Sequence, residues 1–280
     1  MAGLQIKNIK KLLKRKKMDI RDYSKYFDIT SNDLHIDELK HLQMYFSLLK
    51  LVEKPIASLV IPVYRAKETL LAHVISLSNL KTIIPYEVLF IDNNADEITL
   101  NILDQLGATV IKEQKQGITY ARQKGLECAK GEIICTMDPD TIYDPYYIDK
   151  MVLPFFKDKD LVLCCSVSKS YENNFQLSTK MQLRNWIKEK YFKRKLSQGF
   201  MNRIKHVRAV AMAMRKNTLI PLGYPIDLKA VAGCDDGMIA IQLNLIGKCK
   251  YVSANIFTAL PPPRDPGKPF PFCNERFIKF

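Results

Sequence analysis

The run Ala57-Ser58-Leu59-Val60-Ile61-Pro62-Val63 is almost wholly apolar, and it opens a regular exchange of short apolar runs with longer amphipathic stretches. A strand so uniformly apolar belongs where both faces of a sheet are covered, which is the condition of a parallel sheet. The exchange continues for more than a hundred residues. Helical spacing covers 67–79, and a second buried strand covers 87–91, stopped by Asp92-Asn93-Asn94. A helix over 97–106 closes at Gly107, a strand covers 109–112, and a helix over 117–129 is followed by Gly131. A strand over 132–137 runs into Asp138-Pro139-Asp140, a helix covers 146–156, and a strand covers 161–167. The pattern predicts an α/β fold with a mostly parallel, doubly wound sheet and right-handed crossovers. Ligands of such sheets sit beyond the carboxyl ends of the strands. Asp92 and the Asp138/Asp140 pair both fall at such ends.

The flanks read differently. Residues 1–54 read as a helical N-terminal extension outside the main domain, with Leu39, Leu42, Tyr45, Phe46 and Leu49 at helical spacing over 37–52 and Pro55 ending the pattern. Beyond residue 170 the rhythm changes: a long basic helix over 176–196, an apolar strand-like run over 207–214, and a helix over 236–246 closed by Gly247. The expected domain spans 55–260, divided into 55–170 and 171–260, with a proline-rich extended tail over 261–280.

Of 280 residues, 47% are hydrophobic and 26% charged, which excludes a disordered chain. The formal net charge of +14 is concentrated. Twelve Lys and Arg lie between Lys180 and Lys216 against the single acid Glu189, and seven more lie between Lys7 and Lys17. Such clusters imply a polyanionic partner: a nucleotide, a phosphate-bearing acceptor, an anionic membrane or a nucleic acid. No zinc-finger or RRM signature is present, so no nucleic acid is expected, although a basic nucleic-acid-binding protein is the rival from another class. No run approaches the ~18 apolar residues of a membrane span, and no apolar stretch follows the N-terminal lysines as in a signal peptide. The expectation is a cytoplasmic protein, peripheral at the inner face of the membrane. The seven cysteines have no C-x-x-C spacing and read as buried thiols; adjacent Cys164 and Cys165 point to opposite faces of a strand.

Asp138-Pro139-Asp140 carries the sharpest chemistry. Two carboxylates one residue apart, just after a buried strand, can share a divalent cation, Mg2+ or Mn2+, with a diphosphate. The alternative is a turn in which Asp140 caps a helix.

Its surroundings resemble the family 2 glycosyltransferases, whose fold is GT-A, a Rossmann-like mostly parallel sheet flanked by helices. Ser58-Leu59-Val60-Ile61-Pro62-Val63-Tyr64-Arg65 is similar to that family's opening strand and donor loop. Ile91-Asp92-Asn93-Asn94 stands where the family has Asp-Asp-Gly-Ser, and Gly117 to Gly125 resembles its G-x-x-x-A-R-N-x-G, with Gln123 for Asn. Gly131-Glu132-Ile133-Ile134 leads to Asp138-Pro139-Asp140, Met212-Ala213-Met214-Arg215-Lys216 is similar to N-M-A-F-R-R, and Asp235-Asp236 resembles the start of the E-D-x-D-L helix. The segments occur in the family's order over about 57–250.

The resemblance implies an inverting, metal-dependent transfer from a UDP- or GDP-sugar to a glycan or lipid-linked acceptor hydroxyl. It assigns Pro62, Tyr64, Arg65, Asp92, Arg122 and Asp138 to the donor, Asp138 and Asp140 to the metal, and Asp236 to the catalytic base, with Asp235 orienting it or touching the acceptor. The bland alternatives are a turn residue at Asp92, a surface charge at Arg65, a structural salt bridge at Arg122, and helix-starting carboxylates at Asp235 and Asp236. The family's second helix acid is Met238 here, and a frequent Arg is Gln242. Gln182-Leu183-Arg184-Asn185-Trp186 precedes the base and lacks the spacing of the processive Q-x-x-R-W motif, so one sugar is added and Trp186 is a packing or interfacial residue. A catalytically degenerate scaffold remains as an alternative, as does a nucleotidyltransferase, though no Gly-rich phosphate loop follows Val63.

Overall fold

The computed structural model describes residues 18–172, 175–196, 209–226 and 235–259. The basic cluster Lys7–Lys17, the segment 197–208 with Arg203, Lys205 and Arg208, Cys234, Cys273 and the proline-rich tail lie outside the described residues.

Among the described residues seven strands form the main sheet, β1 (Ala57–Val63), β2 (Tyr86–Asp92), β3 (Val110–Lys112), β4 (Ile133–Thr136), β6 (Leu161–Cys165), β8 (Met212–Arg215) and β9 (Lys248–Tyr251). Their order is β3-β2-β1-β4-β8-β6-β9. The pairs β1/β2, β1/β4, β2/β3 and β6/β9 are parallel, while β8 runs antiparallel to both neighbours. The mixed α/β class and mostly parallel sheet expected from the alternation are therefore present, with one reversed strand that periodicity could not reveal. A second sheet of three short strands, β5 (Thr141–Ile142), β10 (Ile256–Ala259) and β7 (Ser168–Tyr171), was not anticipated.

β1 is buried along its whole length because it is central and both its faces are covered. Its two-residue period divides the apolar run between two cores. Leu59, Ile61 and Val63 join the core that holds α1 (Ile36–Lys50), α2 (Leu70–Ser78) and α5 (Tyr147–Lys157), through Leu42, Phe46, Leu71, Val74 and Met151. Val60 joins the other core, beside Ala121 and Leu126 of α4 (Ile118–Cys128) and Ile239, Ala240 and Leu243 of α8 (Asp235–Ile246). Cys164 belongs to the first core and Cys165 to the second, so adjacent thiols do face opposite ways. Two further helices, α6 (Thr179–Leu196) and the single turn α7 (Lys216–Leu219), flank the sheets, and α3 (Glu97–Gln105) joins β2 to β3.

The described part of the segment before residue 55 is mostly helical, with 3-10 turns over Ile20–Tyr26 and Ser31–Asp33 ahead of α1. Ile20, Tyr23, Tyr26, Leu42 and Phe46 are buried in the same core as Leu59 and Phe90. Gly125 lets α4 lie directly on β1: a Cβ there would stand 2.2 Å from Val60 Cγ1. That contact sets the height of α4, and hence of Arg122, above the sheet edge.

Candidate functional site

Because β1, β2 and β4 are parallel and in register, their carboxyl ends share one edge. Val63 pairs with Asp92, and the Met137 amide donates to the Val60 carbonyl at 3.0 Å, which delivers Asp138 to the same edge.

At the end of β2, Asp92 is buried and doubly engaged. Its Oδ1 accepts from the Ala95 amide at 2.9 Å, and its Oδ2 accepts from Lys112 Nζ at 2.9 Å. It shapes a turn and holds an ion pair before any ligand arrives. Asn93, which drew no separate role from the sequence, organises the loop that enters α4. Its Nδ2 donates to the Lys115 carbonyl at 2.7 Å, and its Oδ1 accepts from the Gly117 amide at 2.7 Å. Gly117 sits at φ 142°, a backbone setting that L side chains rarely adopt, and α4 starts on the next residue. Pro62 is buried within β1, while Tyr64 and Arg65 just beyond the strand are exposed at the rim, the Arg65 guanidinium 5.1 Å from the Tyr64 ring centroid.

The Asp138-Pro139-Asp140 turn is clamped by its backbone. Tyr143 Oη accepts from the Asp138 amide at 3.2 Å and donates to the Val210 carbonyl at 3.0 Å. Thr69 Oγ1 donates to the Pro139 carbonyl at 3.0 Å, and Tyr171 Oη donates to the Asp140 carbonyl at 2.6 Å. β5, not a helix, follows Asp140, so the helix-cap alternative does not apply; Asp144 instead accepts from the Tyr146 amide ahead of α5 at 2.8 Å. The Asp140 carboxylate accepts from two hydroxyls, Thr141 Oγ1 at 3.0 Å and Thr258 Oγ1 at 3.4 Å, and from its own backbone amide. Burial, and next the charge of Asp138, push its pKa up to about 6. Among the described residues no group of three or more His, Cys, Asp or Glu converges on one point. A pair of hard carboxylates lacking a full set of donors fits Mg2+ or Mn2+, which keep waters and take substrate phosphates as further ligands.

Arg122 lies in the second turn of α4 rather than at its start, and its side chain is buried. Nη1 bonds Asp235 Oδ2, and Nη2 reaches Asp138 Oδ1 at 3.4 Å. Burial opposes its charge, but Asp235 and then Asp138 outweigh that and raise its pKa. The salt-bridge alternative is thus what the geometry displays, with Nη2 at the edge where Asp138 meets the turn. Asp235 is sealed at the start of α8 by this pair, and Asp236 Oδ1 accepts from the Gly237 amide at 2.8 Å.

Tyr224 was not singled out from the sequence. Its amide donates to Gln123 Oε1 at 2.8 Å, so the Gln that replaces Asn ties α4 to the segment after α7. Its buried hydroxyl has no hydrogen-bond partner among the described residues. Burial raises its pKa, Arg122 draws it down, and Asp235 and Asp236 push it up again. The Met212–Lys216 segment is structural in this arrangement. Arg215 donates to the carbonyls of Leu161 and Phe155, both at 3.2 Å, and Lys216 Nζ donates to that of Ala129.

The family described as Glycosyl transferase family 2 matches residues 58–220. A Bacillus subtilis (strain 168) protein described as an uncharacterized glycosyltransferase, YfnE, is 32% identical over 114 residues, which are 39% of this chain and 29% of the relative. Among solved structures, TarS 1-349 of S. aureus in complex with UDP-GlcNAc superposes with a TM-score of 0.54 at 16% identity, over 74% of this chain and 59% of that one. GalNAc-T7 with UDP, GalNAc and Mn2+ also gives 0.54, at 15% identity, over 74% of this chain and 44% of that one. The chain thus spans less than a third of the curated relative and less than two thirds of these structures. At such identities the likeness shows the fold, which is GT-A.

Proposed function

The chain belongs to glycosyl transferase family 2, and on that premise we propose that it moves one sugar from a nucleotide-sugar to an acceptor hydroxyl with inversion. The observation that carries the reading is the Arg122 guanidinium, which joins Asp138 on the donor side to Asp235 at the head of the helix that bears Asp236. Donor turn and candidate base are fastened to one cation, as a displacement between two substrates requires.

In this reading Pro62, Tyr64, Arg65 and Asp92 line the nucleotide site, and Asp138 and Asp140 hold Mg2+ or Mn2+. The ion, when bound, supplies positive charge against the diphosphate that leaves. Asp236 takes the proton of the acceptor hydroxyl while its oxygen bonds the anomeric carbon. The bond from that carbon to the diphosphate oxygen breaks, and its electron pair departs with the nucleoside diphosphate. Asp235, neutralised by Arg122, positions Asp236 rather than touching the acceptor. The UDP-GlcNAc in the TarS complex, and the UDP and Mn2+ with GalNAc-T7, support a UDP-sugar and a divalent metal. The transferase unit is assigned to 55–260, with 55–170 as donor half and 171–260 as acceptor half and the helices over 20–50 packed into its core, and a glycan or lipid-linked acceptor is the acceptor class. The basic segments support a peripheral position at the inner face of a membrane; among the described residues no helix is long and apolar enough to cross one.

Release of nucleoside diphosphate from a panel of UDP- and GDP-sugars tests this, run with Mn2+, with EDTA and with Asp140→Ala. Turnover of one donor, lost under both controls, is expected. No turnover and no metal-dependent donor binding across the panel would leave a non-catalytic scaffold.

A further inference from the structure

Helix α6 turns large apolar and aromatic residues toward water. Its inward face is small and pinned by polar contacts. Met181 and Asn185 are buried, Asn185 accepts from the Ser170 amide and donates to its carbonyl at 2.8 Å each, and Lys188 donates to the Ser168 carbonyl at 2.7 Å. The face turned away from these residues carries Leu183, Trp186, Ile187 and Tyr191, which are 58%, 54%, 52% and 50% exposed. Leu183, Ile187, Lys190 and Arg194 follow one another at helical intervals along its centre, with Trp186 on one flank and Tyr191 on the other. Lys180 and Arg184 stand beside them, and Lys190 Nζ lies 4.0 Å over the Trp186 ring. A solvated helix face is polar. Large apolar and aromatic residues interleaved with Lys and Arg are instead what a helix lying in a lipid headgroup layer presents, the rings entering the acyl boundary and the long cationic stems reaching back to phosphates.

Resting on the peripheral-membrane part of the proposed function, we infer that the outer face of α6 is the surface by which the protein docks on an anionic lipid bilayer, with Trp186 and Ile187 inserted. The charge decides the occupant. Over Thr179–Leu196 there are seven Lys and Arg and one acid, Glu189. A second copy of this chain would bring two such cationic faces together, whereas an anionic leaflet attracts each of these charges. The docked helix is also tied to the candidate catalytic turn. Ser170, which Asn185 grips, and Tyr171, which bonds the Asp140 carbonyl, are neighbours on β7.

Trp186 is the single tryptophan of the chain, so its emission reports this surface alone. The full chain is titrated with vesicles of phosphatidylcholine, and with vesicles holding one third phosphatidylglycerol, at low and high salt, and sedimentation is read alongside fluorescence. A blue-shifted emission with the anionic vesicles only, weakened by salt, is expected, and Trp186→Ser with Ile187→Ser should weaken sedimentation at least about tenfold. Sedimentation without an emission shift, and unchanged in the double variant, would overturn the assignment to α6 while leaving a membrane role to another basic segment. No binding to anionic vesicles would overturn both. An emission shift that follows protein concentration without lipid, with a dimer on sizing, would assign the face to a second copy. Nucleoside diphosphate release from soluble donor, measured on the same variant, keeps these outcomes separate from the transferase chemistry.

Discussion

Arg122 and Asp235, 113 residues apart in sequence, form a buried ion pair in which guanidinium Nη1 bonds carboxylate Oδ2. Neither group has water to fall back on, so each is stable only because the other is present. The same guanidinium reaches Asp138 at 3.4 Å, which makes the pair the fastening between the donor turn and α8.

Arg122→Met therefore leaves Asp235 charged and buried without a counterion, and should cost about 3–5 kcal/mol of stability. Urea denaturation of the full chain measures it. Arg122→Met combined with Asp235→Leu should recover much of the loss, because replacing both members by apolar groups removes the uncompensated charge. A loss below about 1 kcal/mol in the single variant would mean that the pair behaves as if exposed.

Asp236→Asn removes the candidate base and leaves the donor turn untouched. Transfer should fall by about 10^2 to 10^4-fold while donor affinity stays within a factor of a few. Asp140→Ala should instead abolish metal-dependent donor binding. Calorimetric titration of donor with and without Mn2+, set beside turnover, separates the two, and equal donor binding by the Asp140 variant would remove this turn from the metal site.

His73 couples stability to pH. Its Nδ1 lies 2.8 Å from the Thr141 carbonyl and so donates to it, leaving Nε2 as a buried acceptor without a hydrogen-bond partner among the described residues. Burial lowers its pKa from 6.5 to about 4, with the Thr141 bond a smaller opposing effect. The unfolded chain takes up a proton near pH 6.5 that the folded chain refuses until about pH 4. Stability from this group is thus full above 6.5, falls as pH drops through that window, and levels off below it, a loss of about 3 kcal/mol. His73→Gln should flatten that part of the stability profile, measured by denaturation between pH 4 and 7, while lowering stability at neutral pH.

Gly131 stands against the central strand. A Cβ there would lie 2.6 Å from the Ala57 carbonyl carbon and 2.7 Å from the Ser58 nitrogen, both backbone atoms that cannot move aside. Gly131→Ala should cost about 1–3 kcal/mol by thermal or urea unfolding. Gly107→Ala meets no atom closer than Lys50 Nζ at 4.0 Å, so any loss there must come from its φ of +67° alone.

The apolar run of β1, the polar stops at Asp92 and Asp138, and the closing glycines were legible because they express local rules: burial on both faces of a strand, chain reversal, helix termination. The order of motifs was enough to expect a GT-A sheet, and β1, β2 and β4 do bring Asp92 and Asp138 to one edge. The three-stranded sheet escaped notice because β5, β7 and β10 are only two to four residues long, too short for a period to show. Asn93 and Tyr224 escaped because their partners, Gly117 and Gln123, are remote in sequence.

What the sequence determined by itself is which residues lie inside and which segments reverse, since apolar spacing and turn chemistry act over a few residues. Only the tertiary structure decided that Arg122 faces Asp235 and Asp138, that Asp140 is buried against the Thr141 and Thr258 hydroxyls, that helices before residue 55 share the core, and that α6 turns its aromatic side outward. Each of these depends on charges or surfaces meeting across the fold, and their energies exist only once the chain has closed and water has left.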